Sequence, residues 1–373
     1  MALFHSPKTV TDGLVFMYDT GNSKSYKGEP TTNYGPASFG DYVTEGTSER
    51  IATGNTYKGQ PTYNCRTEVG VTYKGIDKTV TGLRTAAGSS GTVTMSCMIR
   101  NNNSTAYNTS AYIGHDFSGN ISVTANSDWQ KVQWTVNQSS MNNDYVEFRP
   151  YTNNASIYLE MTMPMVEVNK GHATQFVDGT RSTTQGLIDR TGNETITLSN
   201  VSFDSNAQMT FDGTDDYISI SDPGVSTSFS IEVVIKVDNY SNGPIFVSPN
   251  SVGIDHFFRV LNTGKFSARF VEIADSSYDS YTSTTVIDTS KYYHVVISKS
   301  PTSGTIYVNG VAEDSHTPTL PAAAWSGVWY IGSRANNTYN FNGELPILKV
   351  YDRDLPAEEV LQNYNATKSR FGI

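Results

Sequence analysis

Apolar residues recur at every second position along most of the chain, and this alternation restricts the fold more than any single motif does. TVTMSCMIR sets Val93, Met95, Cys97 and Ile99 on one side, and DWQKVQWTV sets Val132, Trp134 and Val136 against Lys131, Gln133 and Thr135. SIYLEMTMPMVEV places Ile157, Leu159, Met161 and Met163 together, and FSIEVVIKV alternates Phe229, Ile231, Val233, Ile235 and Val237. Successive side chains of a strand point to opposite faces, so the period predicts half-buried strands. The run DGLVFMYD at residues 12–19 reads as a buried strand after a turn. Asn309-Gly310 is a two-residue hairpin signal, and Thr302-Ser303-Gly304 marks the turn before it. A helical period is found only at the end, where Val360, Leu361 and Tyr364 share a face. There Pro356 suits the first turn, and Glu358 and Glu359 sit near the positive end of the helix dipole. The chain reads as all-β with one short C-terminal helix.

A length of 373 residues suits two domains. The 26 basic and 36 acidic residues give a net charge of −10, which disfavours nucleic acid as a partner because phosphates attract a clustered basic surface. Ser, Thr, Asn and Gly supply the polar surface, and 23 Tyr with 16 Phe exclude a disordered chain. No run approaches the roughly 20 apolar residues that span a bilayer, so no membrane insertion is expected. MALFHSPKTVTDG lacks the pattern of a leader peptide, so the chain is expected to start in a cytoplasm, or to leave it by a route that needs no cleaved leader, such as cell lysis. The numerous Asn-x-Ser/Thr triplets then reflect composition. Cys65 and Cys97 are too few for a disulfide framework and are expected as free buried thiols. Neither end carries heptads or collagen-like triplets, which argues for a compact module attached through a sandwich face, an edge strand or the arm Met1–Thr11 with Phe4 and His5.

The ordered set MTFDGTDDYISI, FSIEVVIKV, YYHVVISKSPTSGTIYVNGVAED, WYIGS and FNGELPILKVYDRDLPAEEVLQNYN resembles the laminin-G-like, concanavalin A-like jelly roll over about residues 208–365. Pro356 stands where that family often has Ser, which leaves Asp354 as the expected helix cap. TVTMSCMIR, SDWQKVQWTV and the strand ending MPMVEV resemble a carbohydrate-binding-module jelly roll of the galactose-binding-like type. MPMVEVNKGHATQFVDGTRS is similar to a junction in virion proteins of tailed bacteriophages, with Gln175 in place of the usual Pro. VTDGLVFMYDTGNSKSY resembles the opening strand of phage-type concanavalin A-like domains, whose following turn arrives here only at IDRTGN, residues 188–193. The displaced turn implies an insertion. The expected arrangement is two jelly-roll sandwiches: residues 1–29 and 183–373 forming one, and residues 30–182 inserted as the other.

No catalytic motif is present: no G-x-S-x-G elbow, H-E-x-x-H, phosphate loop, C-x-x-C or E-x-D-x-x-E run. The six His are scattered, and His294, beside Val295 and Val296, reads as a core or edge residue. Sugar binding needs aromatic faces beside amide or carboxylate groups, which directs attention to Trp325, Trp329, Tyr330, Asn336, Asn337 and Tyr339. Alternation puts Trp329 and Tyr330 on opposite faces, and Trp129 and Trp134 read as packed. Asp212, Asp215 and Asp216 can form a hard-cation site, with calcium the fitting ion, or can cap their own turn. Apart from that calcium, no cofactor is expected.

The resemblances imply a non-enzymatic structural or accessory protein on the surface of a tailed bacteriophage virion, as capsid decoration, neck, tail or fibre component. Its partners would be other virion proteins and host-surface glycans, and it would be present in multiple symmetric copies. A bacterial carbohydrate-binding adhesin or lectin is the alternative, and a glycan hydrolase ranks last.

Overall fold

A computed structural model describes residues 8–67, 75–152, 154–204, 208–240, 243–248, 255–272, 278–318, 322–334 and 339–373. The chain divides into two compact units, one discontinuous (Met1–Glu29 with Ser182–Ile373) and one continuous (Pro30–Arg181). No helix among the described residues is long and apolar enough to cross a membrane. Phe4 and His5 lie outside the described residues.

The discontinuous unit is a sandwich of two antiparallel sheets. Its eight-stranded sheet has Asn342–Tyr351 and Phe229–Val237 at the centre and runs out through Tyr292–Lys299, Gly304–Val308 and Val311–His316. Leu14–Asp19 pairs with Asn342–Tyr351, so the first described strand closes onto the last. Its seven-stranded sheet places Val328–Ile331, Pro244–Ser248, His256–Val260, Phe266–Val271 and Tyr278–Thr282 side by side. Phe229, Ile231, Val233, Ile235 and Val237 alternate into the core between the sheets, as their period requires.

The displaced turn is what holds the first strand. Asp189 is buried, and its Oδ1 accepts from the Met17 amide at 2.9 Å while Oδ2 accepts from the amides of Asn193 and Glu194 at 3.0 Å each. The Arg190 amide returns a bond to the Met17 carbonyl, and Thr191 and Asn193 both donate to the Val15 carbonyl. The Tyr26–Leu187 bridge joins the points where the chain leaves and re-enters this unit. Adjacent exit and return points are what an inserted segment needs.

The hairpin Gly304–Val308 to Val311–His316 turns on Asn309 and Gly310, at φ +50° and +79°. Both central residues of a type I′ turn need positive φ, which Asn and Gly tolerate best.

The helix Ala357–Phe371 corrects two expectations. Its N-cap is Pro356, with no side-chain capping bond, so Asp354 does not serve as the cap. Its buried face is Val360, Asn363 and Thr367, whereas Leu361 is exposed. A polar Asn363 is buried because Glu232 lies beneath the helix: Asn363 Nδ2 donates to Glu232 Oε2 at 2.6 Å, and Asn363 Oδ1 accepts from the Val10 amide at 2.8 Å. His294 is fully buried in the same network, its Nε2 3.1 Å from Glu232 Oε1, and Lys349 Nζ donates to that oxygen at 2.6 Å. Burial alone would raise the Glu232 carboxyl; the Lys349 ammonium and His294 override it and hold it at about 2.

The continuous unit packs two five-stranded antiparallel sheets. One runs Gln130–Asn137, Thr92–Arg100, Leu159–Val168, Gln60–Arg66, Glu49–Tyr57. The other runs Val43–Thr44, Ile76–Thr79, Tyr145–Tyr151, Tyr107–Ile113, Asp116–Val123. Val93, Met95, Cys97, Ile99, Val132, Trp134 and Val136 fill the space between, as their alternation predicts. Leu159 and Met161 face inward, but the strand breaks its register between Thr162 and Met165, with Met163 at φ +53°, so Met163 does not continue that stripe. Cys65 and Cys97 are free and buried, and burial pushes both thiols well up.

Candidate functional site

The two outer faces of the continuous unit differ, and the difference locates the site. Across the first sheet lies the HATQFVDGTRS segment. Glu167, fully buried, accepts from Thr31 Oγ1 at 2.8 Å, Thr174 Oγ1 at 2.6 Å and the Thr174 amide at 3.1 Å. Lys131 Nζ donates to the Ala173 and Thr174 carbonyls, and the Arg181 guanidinium donates to those of Gln175 and Phe176. Ala173 and Thr174 are therefore clasped to this sheet by Lys131 and Glu167, while Arg181 closes the segment on itself.

The second sheet carries charged groups on its outer face that are far more buried than surface charges usually are. Tyr145–Tyr151, YVEFRPY, sends Val146 and Phe148 into the core and Tyr145, Glu147, Arg149 and Tyr151 outward. Strand pairing sets Asp77 opposite Glu147, Glu147 opposite Tyr112, and Tyr112 opposite Phe117. One row thus crosses four strands. In the next row Arg149 faces Ser110, and Ser110 faces Asn120. Glu147 is 1% exposed and Arg149 8%. They pair in a bidentate fork, Arg149 Nε to Oε1 at 2.6 Å and Arg149 NH2 to Oε2 at 2.8 Å. The guanidinium lies 3.8 Å from the centre of the Tyr112 ring, and Tyr112 contacts Phe117 at 5.3 Å. Phe117 presents about half its surface to solvent.

Two polar atoms on this face are buried without a partner, Asp77 Oδ1 and Ser110 Oγ. An unmet buried polar group costs about 1–3 kcal/mol, so this face carries a local cost in stability. Burial raises the Asp77 carboxyl to about 6, the charges of Glu45 and Glu147 add to the rise, and a hydrogen bond from Tyr145 opposes it. A carboxyl raised in this way beside a second carboxyl is an arrangement a hydrolase could use. Both Glu147 oxygens, however, accept from Arg149, and the carboxylate is buried under its neighbours. A fixed guanidinium–carboxylate fork, unmet polar atoms and an exposed ring suit the binding of a hydroxyl-rich ligand.

Sequence reasoning placed the aromatic site elsewhere, and the structure corrects this in part. Trp325 and Trp329 are core residues, 6% and 0% exposed, packed on each other at 4.8 Å and on Phe246 at 5.8 and 4.5 Å. Neither indole has a face to offer a sugar. Tyr330 is half-exposed on the opposite side, edge-on to Tyr217 at 5.8 Å, and Tyr339 is exposed. Asn336 and Asn337 lie outside the described residues. Trp129 is half-buried and stacked on Tyr57 at 4.7 Å. The YVEFRPY face was not singled out, although its alternation of Tyr, Glu, Arg and Tyr was the available signal.

Asp212, Asp215 and Asp216 do come together, with one carboxylate oxygen from each within 4.8 Å of the others. Asp216 Oδ2 accepts from the Asp212 amide at 2.8 Å, Asp212 Oδ1 from the Thr214 amide at 2.7 Å, and Asp215 Oδ2 from Asn200 at 2.9 Å. Burial lifts Asp216 to about 6, the Asp212 amide opposes the rise, and the charges of Asp212 and Asp215 add to it. Calcium takes six to eight oxygens, and these carboxylates already serve the turn.

Residues 212–361 match the family model of the concanavalin A-like lectin/glucanases superfamily, and the discontinuous unit has that jelly-roll fold. The chain is similar to the receptor binding domain of botulinum neurotoxin D at 16% identity and a TM-score of 0.42, over 50% of this chain and 51% of that one. It is similar to the binding domain of Paraclostridial Mosquitocidal Protein 1 at 16% identity and 0.40, over 48% and 49%. Domain 4 of AbnA, a GH43 extracellular arabinanase from Geobacillus stearothermophilus, in complex with arabinotriose, gives 17% and 0.39, over 49% of this chain and 93% of that one. The chain spans about half the length of the toxin structures it matches. No curated protein matches it.

Proposed function

We propose that the protein is a non-enzymatic glycan-binding component of a tailed-bacteriophage surface, engaging saccharides through the open sheet face of its continuous unit. The observation that supports binding is the cross-strand row Asp77, Glu147, Tyr112 and Phe117, with unmet polar atoms at Asp77 and Ser110. A sugar ring would lie on Phe117 and the edge of Tyr112, its hydroxyls bonding to Asp77 and the Arg149–Glu147 fork. The phage setting is supported by the opening strand VTDGLVFMYDTGNSKSY and the HATQFVDGTRS clasp, both similar to segments of phage virion proteins. Weak sites repeated over a symmetric particle give strong attachment without a tight single site.

A neutral-glycan array with the full chain tests the reading. Binding to a subset of saccharides should weaken about tenfold in Phe117→Ala and in Tyr112→Ala, without release of reducing ends. No binding to any glycan, or binding that neither substitution affects, would contradict the site; released reducing ends would contradict the non-enzymatic assignment.

A further inference from the structure

The discontinuous unit has an outer sheet face of a different chemistry. On the seven-stranded sheet, pairing sets Tyr330 opposite Val247, Val247 opposite Phe257, Phe257 opposite Arg269, and Arg269 opposite Ser280. Three guanidinium carbons surround the Phe257 ring: Arg269 at 5.0 Å, Arg334 at 5.5 Å and Arg259 at 5.9 Å. Arg269 also lies 4.1 Å over the Tyr278 ring, which is 48% exposed. Among the described residues one carboxylate serves this group, Asp255, bonded to Arg334 at 2.6 Å. Arg259 and Arg269 form no ion pair there, and the Nε of each is buried without a hydrogen-bond partner. Burial lowers Arg259, and the charge of Arg269 lowers it further.

Among the described residues Arg259 and Arg269 have no carboxylate partner, on a chain of net charge −10. Stacking on aromatic rings accounts for the positions of the guanidiniums but leaves the Nε–H of Arg259 and of Arg269 without an acceptor. Paired donors in a planar fork fit the oxygens of a carboxylate or phosphate. On the neighbouring strand the exposed Tyr278 ring and the Ser280 hydroxyl lie beside Arg269, a surround suited to a sugar ring.

We infer that this face binds an anionic saccharide, its carboxylate or phosphate group on Arg259 and Arg269 and its ring against Tyr278. The inference rests on the glycan-binding reading for the class of ligand, but it concerns the other unit, so its failure leaves the Tyr112 face untouched.

Calorimetry on the full chain tests it with four probes: an oligogalacturonate, its carboxyl-reduced neutral counterpart, a phosphorylated oligosaccharide and an oligoglutamate. At least one of the two anionic carbohydrate probes should bind about tenfold more tightly than the neutral one, and should weaken as salt rises. The double variant Arg259→Gln, Arg269→Gln should lose that preference, melt within a few degrees of the parent, and keep binding neutral glycans in the array. Tyr278→Ala, at an exposed position, should weaken the same probe. Equal binding of neutral and charged probes, no binding of either anionic carbohydrate, or tighter binding of oligoglutamate would overturn the inference. So would a large fall in melting temperature of the double variant, which would make the arginines structural.

Discussion

Charge burial at single residues separates the parts of this protein that hold the fold from those left available to a ligand. Glu232 is buried and held at about 2 by Lys349 and His294 after burial has worked against it, so its ionised form stabilises the fold. That contribution is present above about 4.5 and is lost as pH falls toward 2. Asp77 behaves oppositely. Its folded value of about 6 exceeds the ordinary 3.8, so its contribution is fully present below 3.8 and is lost as pH rises through 6. Asp77→Asn should therefore be more stable than the parent near neutral pH, by on the order of 1–3 kcal/mol, with the gap closing in acid. Urea unfolding midpoints at the two pH values check this, and a variant less stable than the parent near neutral pH would show that ionised Asp77 supports the fold. YVEFRPY was not read from the sequence, and its alternation alone would not have shown the burial of Glu147. A charged residue at an outward position ordinarily reads as solvated, and only the neighbouring strands show that it is covered. Trp325 and Trp329 failed in the opposite direction: aromatic residues followed by Asn read as a sugar site, yet their rings fill the space between two sheets.

At the scale of elements, local pattern predicted what local chemistry controls. The period-two runs became strands, and Asn309-Gly310 became the turn that its tolerance of positive φ permits. Met163 was assigned to a continuous stripe although Pro164, which cannot donate to a strand ladder, sits inside the register break. Helix Ala357–Phe371 was found, but its buried face was not, since Asn363 is specified by Glu232 on a distant strand. The IDRTGN turn is the clearest link between a motif and a tertiary contact: Asp189 ties the strand Leu14–Asp19 to a segment more than 160 residues away. Asp189→Ala leaves buried amides without acceptors and should destabilise the discontinuous unit by about 2–4 kcal/mol, with Asp189→Asn milder. Limited proteolysis near residues 12–19 gives the readout. Unchanged resistance in the Ala variant would show that strand pairing with Asn342–Tyr351 suffices without the turn.

For the molecule as a whole, two sandwiches present two chemically distinct outer sheet faces, one built around a guanidinium–carboxylate fork and one around arginines that have no carboxylate partner among the described residues. The family match begins at residue 212, yet Leu14–Asp19 and Thr197–Ser199 belong to the same sandwich. The central claim is that the Tyr107–Ile113 and Tyr145–Tyr151 sheet face takes a saccharide. A crystal structure of the full chain with the neutral glycan selected on the array addresses it most directly. The account predicts a sugar ring in van der Waals contact with Phe117 and Tyr112 and a hydroxyl bonded to Asp77; a sugar bound on any other surface, with this face bare, would contradict it.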